Sequence, residues 1–445
     1  MTEAQQHAVP EQDLEALLND WSSKDVEQRA EIFRGLDRAT AEDLFLKVHG
    51  HDQADLYCLL PVGDRKAWVR LLPPDDAADM IQELAEEERP YALNLLDGPT
   101  RMEVQGLMAY KEDVAGGLMN SRFARLRPDM TVDEALRYLR EQTRAQVETI
   151  YYAYVLDRGQ KLLGAVSLRE LFSAPGYRKV SEIMASGDDV AFVRESQDQE
   201  EVTRIFANRE HRALPVLDEN GCMKGIITID DIVHVVNEEA TEDIQKMGGM
   251  EALDEPYFKI SMFNMIKKRA GWLLALFIGE MFTATAMGFY EDEIAKAVVL
   301  ALFVPLIISS GGNSGSQATT LVIRAMALGE VRLRDWWRVL GRELVAGLSL
   351  GVILGVVGVV RIMLWPARST LYGPHYPLIA AAVGGSLVGI VLWGTIIGST
   401  LPLLLRRLGF DPAAASAPFV ATLVDVTGLV IYFTVASVIL HGTLL

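Results

Sequence analysis

The sequence predicts a multidomain membrane protein: an all-α superhelical N-terminal domain, an α/β tandem pair, and an α-helical transmembrane domain with five spans. Three observations carry that class. Leucine pairs recur on a twelve-residue spacing before Met119, two later segments match each other at a constant offset of 61, and five long apolar runs follow Ala270.

Charge divides the chain as sharply as hydropathy does. From Ala270 to the C-terminus ten Lys or Arg stand against nine Asp or Glu, a balance of +1; the whole 445-residue chain carries −18, so residues 1–269 hold −19. An acidic half repels nucleic acid and concentrates cations in its field. Solubility is the plain alternative. Cys58 and Cys222 stand far apart with no Cys-x-x-Cys or Cys/His spacing, which argues against a disulfide framework or a zinc centre. The opening residues MTEAQQHAVPEQDLEALL lack a basic start followed by an apolar run, so the N-terminal half is expected to stay on the side where it is made.

Residues 1–118 read as an acidic helical-repeat domain. Leu59–Leu60, Leu71–Leu72 and Leu95–Leu96 recur with Leu84 at the intermediate position, and the turn-like stretches LLPVGD, LLPPDD and LLDGPT mark three of these places. The unit is a short helix plus a turn. Such units bury their apolar faces only by stacking on one another, which makes a scaffold rather than an enzyme.

Residues 119–180 and 181–240 hold two copies of one pattern. LDRGQKLLGAVSLREL (Leu156–Leu171) matches LDENGCMKGIITIDDI (Leu217–Ile232), and FARLRPDMTVDEALRYL runs parallel to VAFVRESQDQEEVTRIF upstream. Each copy is expected to form a helix, a strand, an Asp-containing turn, a second strand and a closing helix. The arrangement resembles a tandem pair of cystathionine-β-synthase (CBS) domains, a regulatory module that often binds adenine nucleotides or metal ions. In that family a Ser or Thr and an Asp three residues later commonly hold a ribose. The resemblance therefore makes Thr228 and Asp231 candidates for ATP or another adenine nucleotide, while Ser167 and Glu170 match only in part. An empty repeat is the competing reading.

Residues 241–269 are expected to form a connecting helix, and 270–445 the membrane domain. Runs at 271–290, 296–325, 339–364, 377–405 and 414–440 are each long enough, at 1.5 Å per residue, to cross a core of about 30 Å. With the N-terminus cytoplasmic, ten Lys or Arg flank the inner ends and three the outer ends (Lys296, Arg361 and Arg368). That bias places a multi-pass protein in the cell (inner) membrane with its C-terminus outside.

The fifth run, FVATLVDVTGLVIYFTVASVIL, contains one ionisable residue, Asp425. A central Asp costs roughly 2.5–3.5 kcal/mol on insertion scales, so it is expected to face water or a partner. No basic residue lies at comparable depth, which favours an ion pathway. The second run is expected to be interrupted by PLIISSGGNSGSQATT, whose glycines permit close approach and whose Asn313, Ser314, Ser316 and Gln317 offer polar groups.

GGNSGSQ, ATLVDVTGLVIYF and EDVAGGLM, with the acidic repeat, the tandem copies and the five spans, resemble the MgtE family of magnesium channels over nearly the whole chain. The resemblance implies a homodimer in the lipid bilayer. It makes Asp425 the carboxylate that recognises hydrated Mg²⁺, with Ala421, Gly312 and Asn313 completing the pore set. It also implies that cytoplasmic Mg²⁺ closes the pore by bridging carboxylates, for which Glu200, Glu210, Asp231, Glu239, Glu242 and Asp243 are the candidates. In NEEATED the acids stand four apart, a spacing that destabilises an isolated helix unless cations intervene, although a solvated face is the plain alternative. Departures from the family pattern are Ala417, Ser316 and His234, and Glu280 in the first span is an added carboxylate.

The reading is a Mg²⁺-gated, Mg²⁺-selective channel. A proton-coupled transporter using Glu280 or Asp425 is the alternative, and a non-transporting nucleotide sensor a third. No Walker A loop, GxSxG or histidine-rich centre points to an enzyme.

Overall fold

The computed structural model describes residues 11–21, 24, 26–143, 147–209, 211–253, 257 and 260–444, and the chain divides into two compact units, residues 1–238 and 239–445. The first unit opens with short helices: α1 (Glu11–Trp21), α2 (Val26–Gly35), α3 (Arg38–Lys47), α4 (Gly50–Leu59), α5 (Arg65–Val69), α6 (Pro74–Glu83), α7 (Arg89–Leu95) and α8 (Gly98–Leu107). The twelve-residue leucine spacing is half of the structural repeat. From α4 on, a ten-residue helix and a shorter one alternate, so α4–α5 recurs as α6–α7 after 24 residues.

One arginine per repeat closes the turn. Arg65 Nε donates to the Leu60 carbonyl (3.2 Å) and Arg89 Nε to the Leu84 carbonyl (2.8 Å), each satisfying an acceptor that a helix end leaves open. Asp37 caps α3 through the Ala39 and Thr40 amides, and Asp97 caps α8 through Thr100. Leu44, Phe45, Leu56, Tyr57, Met80 and Ile81 then meet in one core, which continues into Val202, Phe206, Val216 and Ile227 of the second tandem copy.

The first copy comprises β1 (Arg125–Leu126), α9 (Val132–Thr143), β2 (Tyr152–Leu156), β3 (Leu162–Ser167) and α10 (Leu168–Ser173), and the strand β4 (Ala185–Ser186), ahead of the second copy, joins its sheet. The second comprises β5 (Val193–Arg194), α11 (Gln199–Arg209), β6 (Ala213–Leu217), β7 (Met223–Thr228) and α12 (Ile229–Met247). The offset of 61 holds to the register: Tyr152 pairs Ser167 as Ala213 pairs Thr228, and both hairpins slip at the same place, Val155/Leu156 and Val216/Leu217. Each copy begins with a two-residue strand parallel to the next one, too short to show an alternation in sequence.

The segment ahead of each copy completes the other copy's sheet. Asn120 bridges Ile226 beside β7, and β4, which leads into the second copy, pairs β3. Tyr154, Leu156, Leu217, Met223 and Ile226 fill the space between the sheets.

The second unit holds α13 (Met262–Phe289), α14 (Glu291–Lys296), α15 (Val304–Ala327), α16 (Trp336–Met363), α17 (Arg368–Leu371), α18 (Tyr376–Arg407) and α19 (Ala417–Leu440). Among the described residues five helical stretches are long and apolar enough to cross a membrane: Met262–Phe289, Val298–Ala327, Leu333–Met363, Tyr376–Arg407 and Ala417–Leu440.

Two expectations are corrected here. Residues 241–269 are not one helix: α12 ends at Met247, Gly249 takes a positive φ of 75° beside Trp272, and α13 starts only at Met262, with the Ser261 hydroxyl accepting from the Asn264 amide. The second span is not interrupted either. α15 runs unbroken through SGGNSGSQ, and two of its hydroxyls bond back within the helix, Ser310 to the Leu306 carbonyl (2.7 Å) and Thr320 to the Ser316 carbonyl (2.9 Å). Its glycines serve packing. A Cβ on Gly394 would lie 2.4 Å from the Gly311 carbonyl oxygen, and one on Gly398 2.1 Å from that of Gly315, so α15 and α18 touch backbone to backbone.

This contact predicts an asymmetry between glycines. Gly394→Ala should lower stability by roughly 1–3 kcal/mol through overpacking. Gly341→Ala, in α16 with nothing within 4 Å of the added methyl, should leave stability unchanged or raise it by about 0.5–1 kcal/mol. Thermal unfolding of the two purified variants measures the difference; equal midpoints would refute the backbone contact.

Candidate functional site

In the second unit, α19 lays Val420, Val424, Gly428 and Tyr432 into the core with α15 and α18, and the Tyr432 hydroxyl donates to the Leu300 carbonyl (2.9 Å). The opposite edge of that face carries Ala421 and Asp425. Both meet Gly312: a Cβ there would stand 3.3 Å from the Ala421 Cβ and 3.5 Å from Asp425 Oδ1. A glycine thus leaves room beside the carboxylate. Asp425 is half-buried, and no Lys or Arg pairs with it among the described residues. Around it, Trp393 donates to the Thr427 hydroxyl (2.9 Å), and the Ser316 hydroxyl donates to the Ala417 carbonyl (3.1 Å), tying α15 to the first turn of α19.

In the first unit a second group of carboxylates collects where α6 faces the tandem copies. Asp75 and Asp76 occupy the first turn of α6, which starts at Pro74, and Asp79 follows about one turn on. The buried Asn120 amide donates to Asp75 Oδ1 (3.0 Å) and to Glu148 Oε2 (2.9 Å), so one side chain spans two like charges. Asp231 accepts from the Thr228 hydroxyl (2.7 Å) and amide (3.0 Å).

These acids titrate abnormally. Burial, then repulsion from Glu148, pushes Asp75 up to about 6. Desolvation followed by Asp75, Asp79 and Asp231 pushes Asp76 to about 8. Asp79 keeps an exposed edge, yet desolvation by its dense surroundings, with Asp75, Glu112, Asp231 and Glu238, also takes it to about 8. Asp231 reaches about 7 through burial, against the pull of Thr228. Glu148 and Glu238 are raised as well, by desolvation first. Crowded carboxylates with few cationic partners are suited to a divalent ion, which supplies the missing charge to several oxygens at once.

Comparison with known proteins decides the kinship. The C-terminal region at 304–435 matches the model of the divalent cation transporter family MgtE, residues 10–113 match the MgtE intracellular N domain, and 113–177 and 180–238 match the CBS domain. A magnesium transporter MgtE of Thermus thermophilus is 39% identical over 434 residues, covering 97% of this chain and 93% of that one.

The chain belongs to the MgtE family.

A magnesium transporter MgtE of Bacillus subtilis is 31% identical over 390 residues, with 87% of this chain and 83% of that one covered. Among solved structures, the cytosolic domain of the Mg²⁺ channel MgtE in complex with ATP is 38% identical, covering 50% of this chain and 90% of that chain with a TM-score of 0.46.

Within this MgtE chain, the structure brings Asp425, Ala421 and Gly312 together. Asn313 is exposed and donates to the Ser309 hydroxyl (3.3 Å). Of the regulatory candidates, Asp231 lies in the α6 cluster. Glu200 pairs with Arg204 (2.6 Å), and Glu210 lies outside the described residues. Glu239, Glu242 and Asp243 fall in the second unit on the later part of α12. There Glu242 is ion-paired to Lys246, which also donates to Asp411 (2.6 Å). Against desolvation, which lowers it, hydrogen bonds to Asp411 and Glu242 raise the Lys246 pKa.

A cavity of about 560 Å³ opens on the other side of α12, lined by Tyr151, Phe206, Arg212, Ile229, Val233 and Val236 among others; Thr228 and Asp231 do not line it. Sequence reasoning missed Asp75, Asp76, Asp79 and Glu148. The signal was present in LLPPDDAADM, read for its turn and not for three aspartates within five positions of one helix.

The raised carboxyls fix a sign. A folded acid whose pKa lies above its unfolded value of about 4 holds its proton longer than the unfolded chain does, so stability falls as pH rises from about 4 to about 8. In chelator, the unfolding midpoint of the first unit should therefore drop across that window, and Mg²⁺ should restore it more at the alkaline end than at the acid end. Replacing Asp75, Asp76 and Asp79 by Asn should flatten both dependences. Scanning calorimetry of the full chain checks this; a Mg²⁺ effect equal at both ends would contradict the cluster's role.

Proposed function

We propose that the chain is a magnesium-selective channel: a homodimer in the cell membrane, N-terminus cytoplasmic, that admits Mg²⁺ down its electrochemical gradient and is shut by cytoplasmic Mg²⁺ bound to the carboxylates of the first unit. The observation that carries the reading is Asp425, a carboxylate in the fifth span beside Gly312 and without a cationic partner among the described residues. Similarity to proteins named magnesium transporters supports the choice of ion. Mg²⁺ sheds water reluctantly, so a pathway that holds it through its hydration shell needs carboxylate and carbonyl oxygens at a distance rather than a tight cage. A two-fold axis would bring a second Asp425 to the same ion. On this reading the functional divisions are 1–118, 119–180, 181–240, 241–269 and 270–445.

Occupancy of the α12 cavity by ATP or a related adenine nucleotide is a second, compatible reading. The cavity is large enough for a nucleoside, and Arg212 stands 4.8 Å over the Tyr151 ring, a cation at an aromatic wall. Equilibrium dialysis of the full chain against ATP tests it, and lack of binding would remove it.

Liposome flux under an imposed voltage tests the main reading. Two charges crossing 100 mV gain roughly 4.6 kcal/mol, from about 2.3 per charge, which is ample for uptake without coupling. An inside-negative potential alone should drive Mg²⁺ entry, collapse of a pH gradient at fixed voltage should change little, and a folded Asp425→Ala protein should be inactive. Uptake that stops with the pH gradient would instead assign a proton to Glu280 or Asp425 and make the protein a coupled transporter.

A further inference from the structure

We propose that a groove between α16 and α18 seats one acyl chain of an anionic phospholipid, with the guanidinium groups of Arg361 and Arg368 holding the lipid phosphate at the groove's end. The groove encloses about 280 Å³ and is walled by Val352, Val356 and Val360 of α16 and by Ala381, Gly385 and Val388 of α18. Its floor follows from residue size. A Cβ on Gly355 would stand 2.9 Å from the Gly384 carbonyl oxygen, so the two backbones touch, and the short valine and alanine side chains leave a furrow above them. Val352 to Val360 spans about 12 Å at 1.5 Å per residue, against about 15 Å for half of a hydrocarbon core of about 30 Å. The groove therefore runs along most of one leaflet.

The end of the groove is cationic. Arg361 directly follows Val360, and its Cζ lies 3.7 Å from the centre of the Trp365 ring. Arg368 Nη1 donates to the carbonyl of Met363, the last residue of α16, while its Cζ lies 5.3 Å from the ring centre of Tyr376, the first residue of α18. One guanidinium is thereby held across the ends of both helices that wall the groove. Neither arginine has an acidic partner among the described ion pairs, and residues 361–376 contain no Asp or Glu.

The dipole of a helix C-terminus attracts a cation, which accounts for the bond from Arg368 to Met363. It does not account for two guanidinium groups without acids at the mouth of a furrow lined by valine, glycine and alanine alone. A guanidinium presents five N–H donors in a planar fork that matches phosphate oxygens, Trp and Tyr suit the headgroup level, and an acyl chain fills a channel that offers no hydrogen bond. Basic groups at the ends of membrane helices favour anionic headgroups. A second copy of this chain fits less well, because a two-fold contact through this face would bring the same arginines together. The inference stands on this geometry and does not rest on the transport reading.

Native mass spectrometry tests the site on full-length protein stripped of lipid in detergent and offered phosphatidylglycerol and phosphatidylcholine with the same acyl chains. Phosphatidylglycerol should stay bound at one per chain and outcompete phosphatidylcholine by at least about tenfold. Replacing both arginines, Arg361→Gln with Arg368→Gln, should abolish that preference, whereas Arg407→Gln, at the opposite end of α18, should leave it unchanged. Ala381→Phe, which fills the groove, should lose the bound lipid. The unfolding midpoint shows that each variant is folded, and Val352→Phe replaces Ala381→Phe if that one is not. Glycerol phosphate, which carries the phosphate without an acyl chain, should not compete. An unchanged preference in the double arginine variant, undiminished binding in the folded groove variant, or displacement by glycerol phosphate would each overturn the proposal. So would a wild-type chain that retains no lipid; a change of oligomeric state in Ala381→Phe would then assign the groove to a second copy.

Discussion

Backbone contact between α15 and α18 seats the carboxylate of the fifth span. Gly311 and Gly315 on one helix meet Gly394 and Gly398 on the other at distances that leave no room for a methyl group. With the two axes that close, α19 can lay Val420 and Val424 against both, and Asp425 follows Val424 to the edge of the contact beside Gly312. Within a membrane no hydrophobic force drives helices together, so close van der Waals packing has to do so. The same geometry recurs between α16 and α18, where Gly347, Gly351, Gly355 and Gly358 face Thr395, Val388, Gly384 and Leu387. α18 is therefore the shared backing, and the position of Asp425 is a consequence of residues that carry no chemistry.

The first unit solves a different problem with the same element, charge without a partner. Its hydrophobic core runs from the short helices into the second tandem copy, and that continuity brings α6 against α12 and holds Asp75, Asp76 and Asp79 near Asp231. Asn120 is the structural device that makes the approach tolerable, because one amide group serves two carboxylates while its backbone completes the sheet edge at Ile226. A neutral donor lowers the repulsion but cannot cancel it.

Much of this was legible in the sequence for a physical reason: periodic burial writes itself into residue order. The five apolar runs, the offset of 61 and the isolated Asp425 all correspond to helices, registers and a position found in the fold. What escaped was whatever depends on contacts between distant segments. LLPPDD was a turn signal, and it does precede a helix, but only tertiary packing shows that its aspartates face Asp231. Glycine-rich polar sequence suggested a broken span, whereas α15 is continuous and its glycines are spent on close contact with α18. The break falls instead in the connecting segment, at Gly249, where a left-handed φ ends α12.

Acids along α12 are not equivalent, and the distinction bears on how any cation sensor in this chain could work. Glu242 has a tethered ammonium, Lys246, held also by Asp411. A lysine on the same chain is present at every Mg²⁺ concentration, so a carboxylate neutralised by it cannot report that concentration. Asp75, Asp76, Asp79 and Asp231 have no such built-in cation among the described ion pairs, and burial first, then repulsion from neighbouring acids, raises their pKa values. Their charge can be balanced by protons or by a diffusible cation, and with Asp76 and Asp79 pushed up to about 8 the cation competes with protons at neutral pH. On the proposed reading, then, the response to Mg²⁺ resides in the α6 cluster, while the Glu242–Lys246–Asp411 contact fixes the end of α12 whatever the ion concentration.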